Sequence, residues 1–486
     1  MKDSFYWHDY ETFGARPSID RPSQFAGLRT DSDLNIIGEP LVIYCKPQMD
    51  ILPSVQACLI TGITPQYAQK NGLDEPEFIA QIHRQLAMPR TCGLGYNSIR
   101  FDDEVTRYSL YRNFYDPYQR EWQNGNSRWD LIDVMRATRA LRPEGIEWPD
   151  HQEGFPSFKL EDLTQANGIG HEDAHDALSD VTATIAIAKL VKDTQPKLFD
   201  YFFQGRGKIA AGKLVDLTTQ KPFFHCSGML PKSRLYSAIM MPLAAHPENK
   251  NSVICIDLMA DPEKLINLDQ EDIKRLVFSS AQELSDNEER IPLKEVHLNK
   301  APILATPKVV DANIAKRLSI DIARCEQNWQ RLKQVDLQQK LQAVYAKRDY
   351  PATPEAEQQL YAGFLANQDK AILDHVRGAT VDDFTQQNFY FSDDRYNRLL
   401  LSYKARYFAD SLTDNEKSQW ADSCRWRLTN SDSGYITMEQ QKNEIADLLS
   451  QANLTPEKKA ILVDLQSWSD QVAHKFAINS DSRQSK

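Results

Sequence analysis

Over its first ~190 residues the chain alternates apolar runs of strand length with stretches of helical periodicity, the arrangement of an α/β domain. Residues 5–11, rich in aromatic side chains, predict a strand, and residues 41–45 and 91–96 predict two more. Ala177, Val181, Ile185 and Ala188 recur at helical spacing and predict a helix over 176–191, closed by Asp193-Thr194-Gln195-Pro196. Beyond residue 197 the texture changes. Short β-rich pieces at 223–227, 253–257 and 295–298 alternate with turn residues, and one long helix is predicted over 322–346. Pro351-Ala352-Thr353-Pro354 predicts a linker, because two prolines so close together oppose a continuing helix. The stretch from 355 to 475 is dense in helix formers and charge and predicts an all-helical domain; residues 480–486 form a polar tail. The expected division is 1–192, 197–350 and 354–478.

Composition narrows the function classes. A length of 486 residues accommodates two to four domains, each able to bury its own core. No apolar run approaches the ~20 residues of a membrane helix; the stretch 238–245 is short and interrupted by Pro242. The first residues lack the apolar core and cleavage site of a signal peptide, so neither export by that route nor membrane insertion is expected. Seven scattered cysteines without a C-x-x-C pair exclude a zinc ribbon or dithiol redox motif and fit a reducing cytoplasm. A net charge of -11 argues against a nonspecific polycation, while leaving room for a nucleic-acid partner held by local positive patches.

Chemistry concentrates in three places. Asp9 and Glu11 stand two apart in the first predicted strand and so share one face. Paired carboxylates repel unless a proton or cation lies between them, and hard divalent cations take oxygen ligands, so the pair reads as half of a metal site. Taken alone, it reads equally as an exposed edge strand. The second place is Gly95-Tyr96-Asn97, running on through Arg100 and Phe101 to Asp102-Asp103-Glu104. The third is His175-Asp176-Ala177-Leu178-Ser179-Asp180, at the predicted helix start. If Asp180 faces the site from the helix, His175 must reach in from the preceding loop, because the two do not stack on a helix of ~3.6 residues per turn. Taken alone, His175 reads as a surface histidine.

The order D-x-E, N-x-x-x-F-D, H-x-x-x-x-D resembles the DEDDh exonuclease family, and Asp176 stands where the tyrosine-bearing proofreading branch would carry tyrosine. A closer resemblance, to the bacterial exodeoxyribonuclease I family, is carried by several blocks: residues 8–14, Asp20-Arg21-Pro22, Gln24-Phe25-Ala26, Ile60-Thr61-Gly62-Ile63-Thr64-Pro65, residues 95–97, residues 100–105, Asn126-Ser127-Arg128-Trp129-Asp130 and His246-Pro247-Glu248-Asn249. This resemblance implies an RNase H-like α/β domain with a mixed sheet, then an SH3-like β-containing domain, then an all-helical C-terminal domain. It implies that Asp9, Glu11, Asp102 and Asp180 hold two Mg²⁺ ions, with Mn²⁺ as a substitute, and that His175 takes the proton of the attacking water. Asp103 competes with Asp102, which the family register favours; His171 fits the spacing less well and reads as structural. The implied reaction is processive release of 5′-mononucleotides from the 3′ end of single-stranded DNA, by a cytoplasmic monomer serving repair, mismatch repair and recombination.

Between Arg100 and Arg142 lie eight arginines, eight aromatics, seven acids and no lysine, a local net charge of about +1 in an acidic chain. Arginines interleaved with aromatics suit single strands, since guanidinium groups track phosphates while bases stack on rings. Arg107, Tyr118, Trp122, Arg128 and Arg136 are the candidates, although any one ring reads equally as core. By resemblance, Lys159 lies near the scissile nucleotide at a position where arginine is expected, and Lys208, Asn251 and Asn299 line the groove with Glu11. The resemblance also implies docking of the acidic, Phe-ended tail of single-strand-binding protein, with Arg142, Tyr201 and Lys221 as candidates. Two rival readings are a DEDDh ribonuclease, which shares the metal chemistry, and a noncatalytic single-strand scaffold, whose mark would be a missing acid.

Overall fold

The computed structural model describes residues 3–151, 154–171, 176–280, 282–285, 288–346, 353–387 and 389–478. The expected fold class is present: a mixed sheet with helices, a second, antiparallel sheet, and a helical region. The first sheet comprises β1 (Ser4–Thr12), β2 (Pro22–Thr30), β3 (Ile36–Tyr44), β4 (Thr91–Gly95) and β5 (Ser127–Asp130), in the order β3-β2-β1-β4-β5. β1 runs antiparallel to β2 and parallel to β4, and β4 runs parallel to β5. The strand bearing Asp9 and Glu11 is therefore the middle one of five, and the edge-strand reading falls away. β2 was not anticipated, because it is buried along nearly its whole length and carries no polar alternation to reveal it.

The helices α1 (Val55–Thr61), α2 (Pro65–Asn71), α3 (Glu75–Leu86), α4 (Asp102–Arg112), α5 (Leu131–Leu141), α6 (Leu160–Ala166) and α7 (Ala177–Thr194) complete the first domain. The motif at 60–65 is a helix stop followed by a start. Gly62, at φ 71°, ends α1 in a left-handed conformation, and Thr64 caps α2 ahead of Pro65. Gly95 answers a different need: a Cβ there would meet the His8 carbonyl oxygen at 2.6 Å, so only glycine lets β4 close against β1.

The second sheet, in the order β10-β6-β7-β8-β9, consists of β6 (Phe223–Cys226), β7 (Ser237–Ala245), β8 (Ser252–Asp257), β9 (Leu293–His297) and β10 (Ile303–Ala305), all antiparallel. β7 is the apolar run at 238–245, and Pro242 sits where the register with β8 shifts. The single helix expected over 322–346 is two, Ile322–Leu332 and Gln338–Val344, broken at a turn through Lys333 to Asp336. One apolar core runs from Trp7, Trp129 and Val181 through Phe199 and Phe202 into Phe224, Ile239 and Ile254, joining the two sheets.

Among the described residues, 367–475 hold six α-helices, from Asn367–Gly378 to Pro456–Lys475. They meet the first domain through an aromatic cluster, Tyr108, Tyr111 and Phe114 against Phe391, Tyr396 and Tyr403. A buried ion network joins the same two parts. Arg21 pairs with Glu357, Arg406 with Glu357 at 2.5 Å and Asp50 at 2.7 Å, and Arg427 with Asp50 and Glu355 at 2.7 Å each. Of the linker at 351–354, the first two residues lie outside the described residues, as does the tail at 480–486.

Candidate active site

The strand and helix starts bring the acids together. Asp9 and Glu11 project from one face of β1, and Asp180 comes from the first turn of α7. One carboxylate oxygen from each of the three lies within 4.8 Å of the others. Asp176 caps α7 by accepting the Ser179 N–H at 3.2 Å. Gln24, paired with Glu11 across the β1–β2 ladder, fixes the same helix start: its Nε2 donates to Asp176 at 3.1 Å, and its Oε1 accepts the Ala177 N–H at 3.3 Å. Gln24 thus sets Asp180 against Glu11. It belongs to a motif noticed in the sequence, yet nothing local there assigns it that role.

Asp102 opens α4 and accepts the Tyr10 N–H at 3.0 Å, between the two β1 acids in sequence. It is not one of the three whose oxygens converge within 4.8 Å, but its charge bears on both β1 acids. Asp103 is occupied elsewhere, accepting from Arg120 at 2.6 Å and Arg128 at 2.8 Å. Burial would raise Asp103, but the two guanidinium groups outweigh it and hold its carboxyl well below the usual carboxylate range. The other acids move the opposite way. Burial, then Asp102, Asp180 and Glu11, push Asp9 well up, and burial, then Asp180, Asp102 and Asp176, push Glu11 up to about 8. Burial and Asp103 raise Asp102 well above its ordinary value. Crowded carboxylates whose charges oppose one another in a half-buried site, with all-oxygen donors, suit a hard divalent cation.

His175 lies outside the described residues. His171, read from sequence as structural, places Nε2 2.5 Å from Asp180 Oδ1, with its other nitrogen 3.3 Å from Thr164 Oγ1.

The candidate DNA contacts divide. Trp122 is 66% exposed, as a stacking platform must be. Tyr118 is half-buried, edge-to-face with Phe364, and the Arg107 guanidinium lies 5.4 Å from its ring centroid. Lys159 is exposed at the start of α6, and Lys208 is exposed at the start of the helix Lys208–Leu214. Asn299 is exposed, Asn251 half-buried. Arg136 pairs with Asp133 at 2.6 Å and lies 4.9 Å from the Tyr236 ring centroid. Two expectations need correcting. Arg107 and Arg128 are not free to track phosphates, because both are buried and spent on protein acceptors. Arg107 makes two bonds to Glu121 (2.7 and 2.9 Å) and one to Glu104 (2.7 Å). Arg128 bonds Asp103, Glu121 and the Asn299 carbonyl. Among the residues named for a partner tail, Arg142 is exposed at the end of α5, Tyr201 is 44% exposed on the neighbouring helix Pro196–Gly205, and Lys221 is exposed ahead of β6.

Sequence reasoning missed a groove. A cavity of about 780 Å³ opens between the loop leading to Asp102 and the face of the second sheet. Arg100, Arg290, Lys294 and Lys300 line it, together with His225 and His297. Burial lowers the pKa of Lys294, Lys300 and both histidines, His225 to about 3. Its cations come from segments ~200 residues apart in sequence, so no local signal could have gathered them.

Comparison with known proteins agrees with this geometry. Family models described as Exonuclease, Exonuclease I SH3-like domain and Exonuclease I C-terminal domain match residues 6–188, 206–347 and 354–472. The exodeoxyribonuclease I of Escherichia coli K12 is 44% identical over 475 residues, covering 97% of this chain and 98% of that protein. The crystal structure of E. coli exonuclease I with a dA16 oligonucleotide superposes with a TM-score of 0.93 at 44% identity, covering 97% of this chain and 100% of the other. Two further structures of similar likeness are a zinc-bound E. coli exonuclease I–single-stranded DNA complex (TM-score 0.92, 44% identity, 98% and 100% covered) and an SSB/exonuclease I complex with an inhibitor (0.89, 43%, 97% and 100%). Among the described residues no helix is long and apolar enough to cross a membrane, and all seven cysteines are free and buried. With all three of its parts matched in order and near-full-length identity well above 30%, the chain belongs to the exodeoxyribonuclease I family of exonucleases.

Proposed function

We propose that this protein degrades single-stranded DNA processively from its 3′ end, releasing 5′-mononucleotides, with Asp9, Glu11, Asp102 and Asp180 as the metal-holding set. The observation that carries the reading is the convergence of the Asp9, Glu11 and Asp180 oxygens within 4.8 Å at the centre of the exonuclease sheet. Two Mg²⁺ ions, or Mn²⁺ in their place, would supply phosphate neutralisation and a more acidic attacking water when bound to these carboxylates. In the reaction water attacks the terminal phosphorus, the bond to the 3′-oxygen breaks, and that oxygen takes a proton to become the new 3′ end. His175 accepts the proton lost by the water, a role resting on its place in the family pattern. Gln24 and the Asp176 cap keep Asp180 aligned with Glu11.

The substrate path follows the chemistry of the surface. Trp122 and Tyr118 offer ring faces for bases, with the Arg107 guanidinium buttressing Tyr118. Lys159, Lys208, Arg136, Asn251 and Asn299, with the cations of the groove, hold the backbone. A strand lying between domains tied to one another by buried ion pairs leaves slowly, which favours many cleavages per encounter. The solved SSB complex of the relative supports docking of the tail of single-strand-binding protein, for which we assign Arg142, Tyr201 and Lys221. A place in repair, mismatch repair and recombination follows from such a substrate.

Digestion of 5′-labelled single-stranded DNA, single-stranded RNA and blunt duplex, each in Mg²⁺ and in EDTA, tests the reading. Metal-dependent shortening of the DNA strand alone from its 3′ end is expected, and it should be absent in Asp9→Asn and Asp180→Asn. Preferential loss of RNA, or activity retained in either variant, would overturn it.

A further inference from the structure

The three acids that open α4 divide their work. Asp102 turns to β1, whereas Asp103 and Glu104 enter a buried cluster in which Arg107, Arg120 and Arg128 balance Asp103, Glu104 and Glu121. Two connections leave this cluster. Arg128 Nη2 donates to the Asn299 carbonyl at 3.2 Å, in the loop after β9 of the second domain. The Tyr361 hydroxyl, in the segment leading to the C-terminal helices, donates to Glu104 and accepts from Arg107 at 3.0 Å. The residue next to Asp102 is therefore anchored through short chains of bonds to both accessory domains.

We propose that Asp103, Arg128 and Tyr361 are positioning residues that transmit the seating of the second and third domains to the start of α4, holding Asp102 in register with Asp9, Glu11 and Asp180. Asp102 and Asp103 share a peptide unit within one helical turn, so displacing the Asp103 carboxylate displaces its neighbour. In a reacting site, a misplacement of ~1 Å costs about 100-fold in rate. The inference rests on the reading of Asp102 as part of the metal-holding set.

The full-length enzyme tests it, with kcat and KM on a short oligonucleotide, Mn²⁺ affinity of the DNA-free protein by electron paramagnetic resonance, and Tm. Tyr361→Phe removes one hydroxyl from a residue that is 56% exposed, so its fold should persist. Expected are a kcat lowered by about 2- to 30-fold, weaker Mn²⁺ binding, and KM and Tm nearly unchanged. Asp103→Asn should lower kcat by about 100-fold, and the double variant should be no worse than Asp103→Asn alone, because both act on one path. If Asp103→Asn does not fold, Tyr361→Phe and Arg128→Lys decide. Wild-type kcat and Mn²⁺ affinity in Tyr361→Phe, or a lowered Tm with unchanged kcat per folded molecule, would overturn the inference. Asp102→Asn, run alongside, separates the two levels. Activity in that variant removes the underlying reading, whereas its inactivity beside an unaffected Tyr361→Phe removes only the inference.

Discussion

Replacing Glu11 by glutamine separates what the acidic site costs the fold from what it does in catalysis. In the metal-free protein, burial, then Asp180, Asp102 and Asp176, push Glu11 up to about 8 from an ordinary 4.5. A carboxyl with a raised folded pKa binds its proton more tightly when folded. Its contribution to stability is therefore fully present below about 4.5 and is lost as pH rises through about 8. At about 1.36 kcal/mol per pH unit, the interval between those values amounts to about 5 kcal/mol. Glutamine keeps the size of the side chain and cannot ionise. In EDTA, Glu11→Gln should melt with wild type at pH 5 and above it at pH 9, by on the order of 10 °C for a domain of ~190 residues. Added Mg²⁺ should close about half of that gap. Wild type gains about 2.7 kcal/mol at a hundredfold excess over Kd, while the variant gains little and does not cut DNA. Scanning calorimetry from pH 5 to 9, with and without Mg²⁺, reads all of this. Coincident melting of the two proteins in EDTA at pH 9, or equal stabilisation by Mg²⁺, would refute the electrostatic account of the site.

Trp122→Ala should weaken single-strand binding by about 1–3 kcal/mol, measured by fluorescence anisotropy, without moving Tm, because the ring is mostly in solvent; unchanged affinity would remove it from the path. Glu357→Gln should destabilise the protein by about 3–5 kcal/mol in urea unfolding, since Arg21 and Arg406 would be left buried with too little opposing charge. Burial opposes ionisation of Glu357, but Arg406, Arg21 and Arg427 outweigh it and hold its carboxyl well below the usual range. Its contribution is accordingly present above about 4.5 and lost only as pH falls through the lowered value, so wild type should outlast the variant at neutral pH and converge with it in strong acid. Lys159→Ala should reduce the slope of log affinity against log salt by about one, with Lys159→Arg preserving it; an unaltered slope in Lys159→Ala would show that this lysine touches no phosphate.

Much of this protein was legible in its sequence because the rules involved are local. Strand alternation puts Asp9 and Glu11 on one face, and helical periodicity places Asp180 in the first turn of α7. Residue pattern likewise separated the three regions. It did not reveal β2, whose nearly continuous burial erases the period of two, nor the break between Ile322–Leu332 and Gln338–Val344, where no proline or glycine intervenes. The choice between Asp102 and Asp103 was open to family register alone. The tertiary structure gives them different partners, because adjacent helix residues point about 100° apart and only the fold brings Arg120 and Arg128 to one of them. The same holds for Arg107 and Arg128. Composition marks them as cations near aromatics, but whether a guanidinium meets phosphate or carboxylate depends on acids that approach from elsewhere in the fold. Local sequence determines which chemical groups each element presents; the packing of distant elements determines which charges are left facing a ligand, because pairing and burial are properties of neighbours in space.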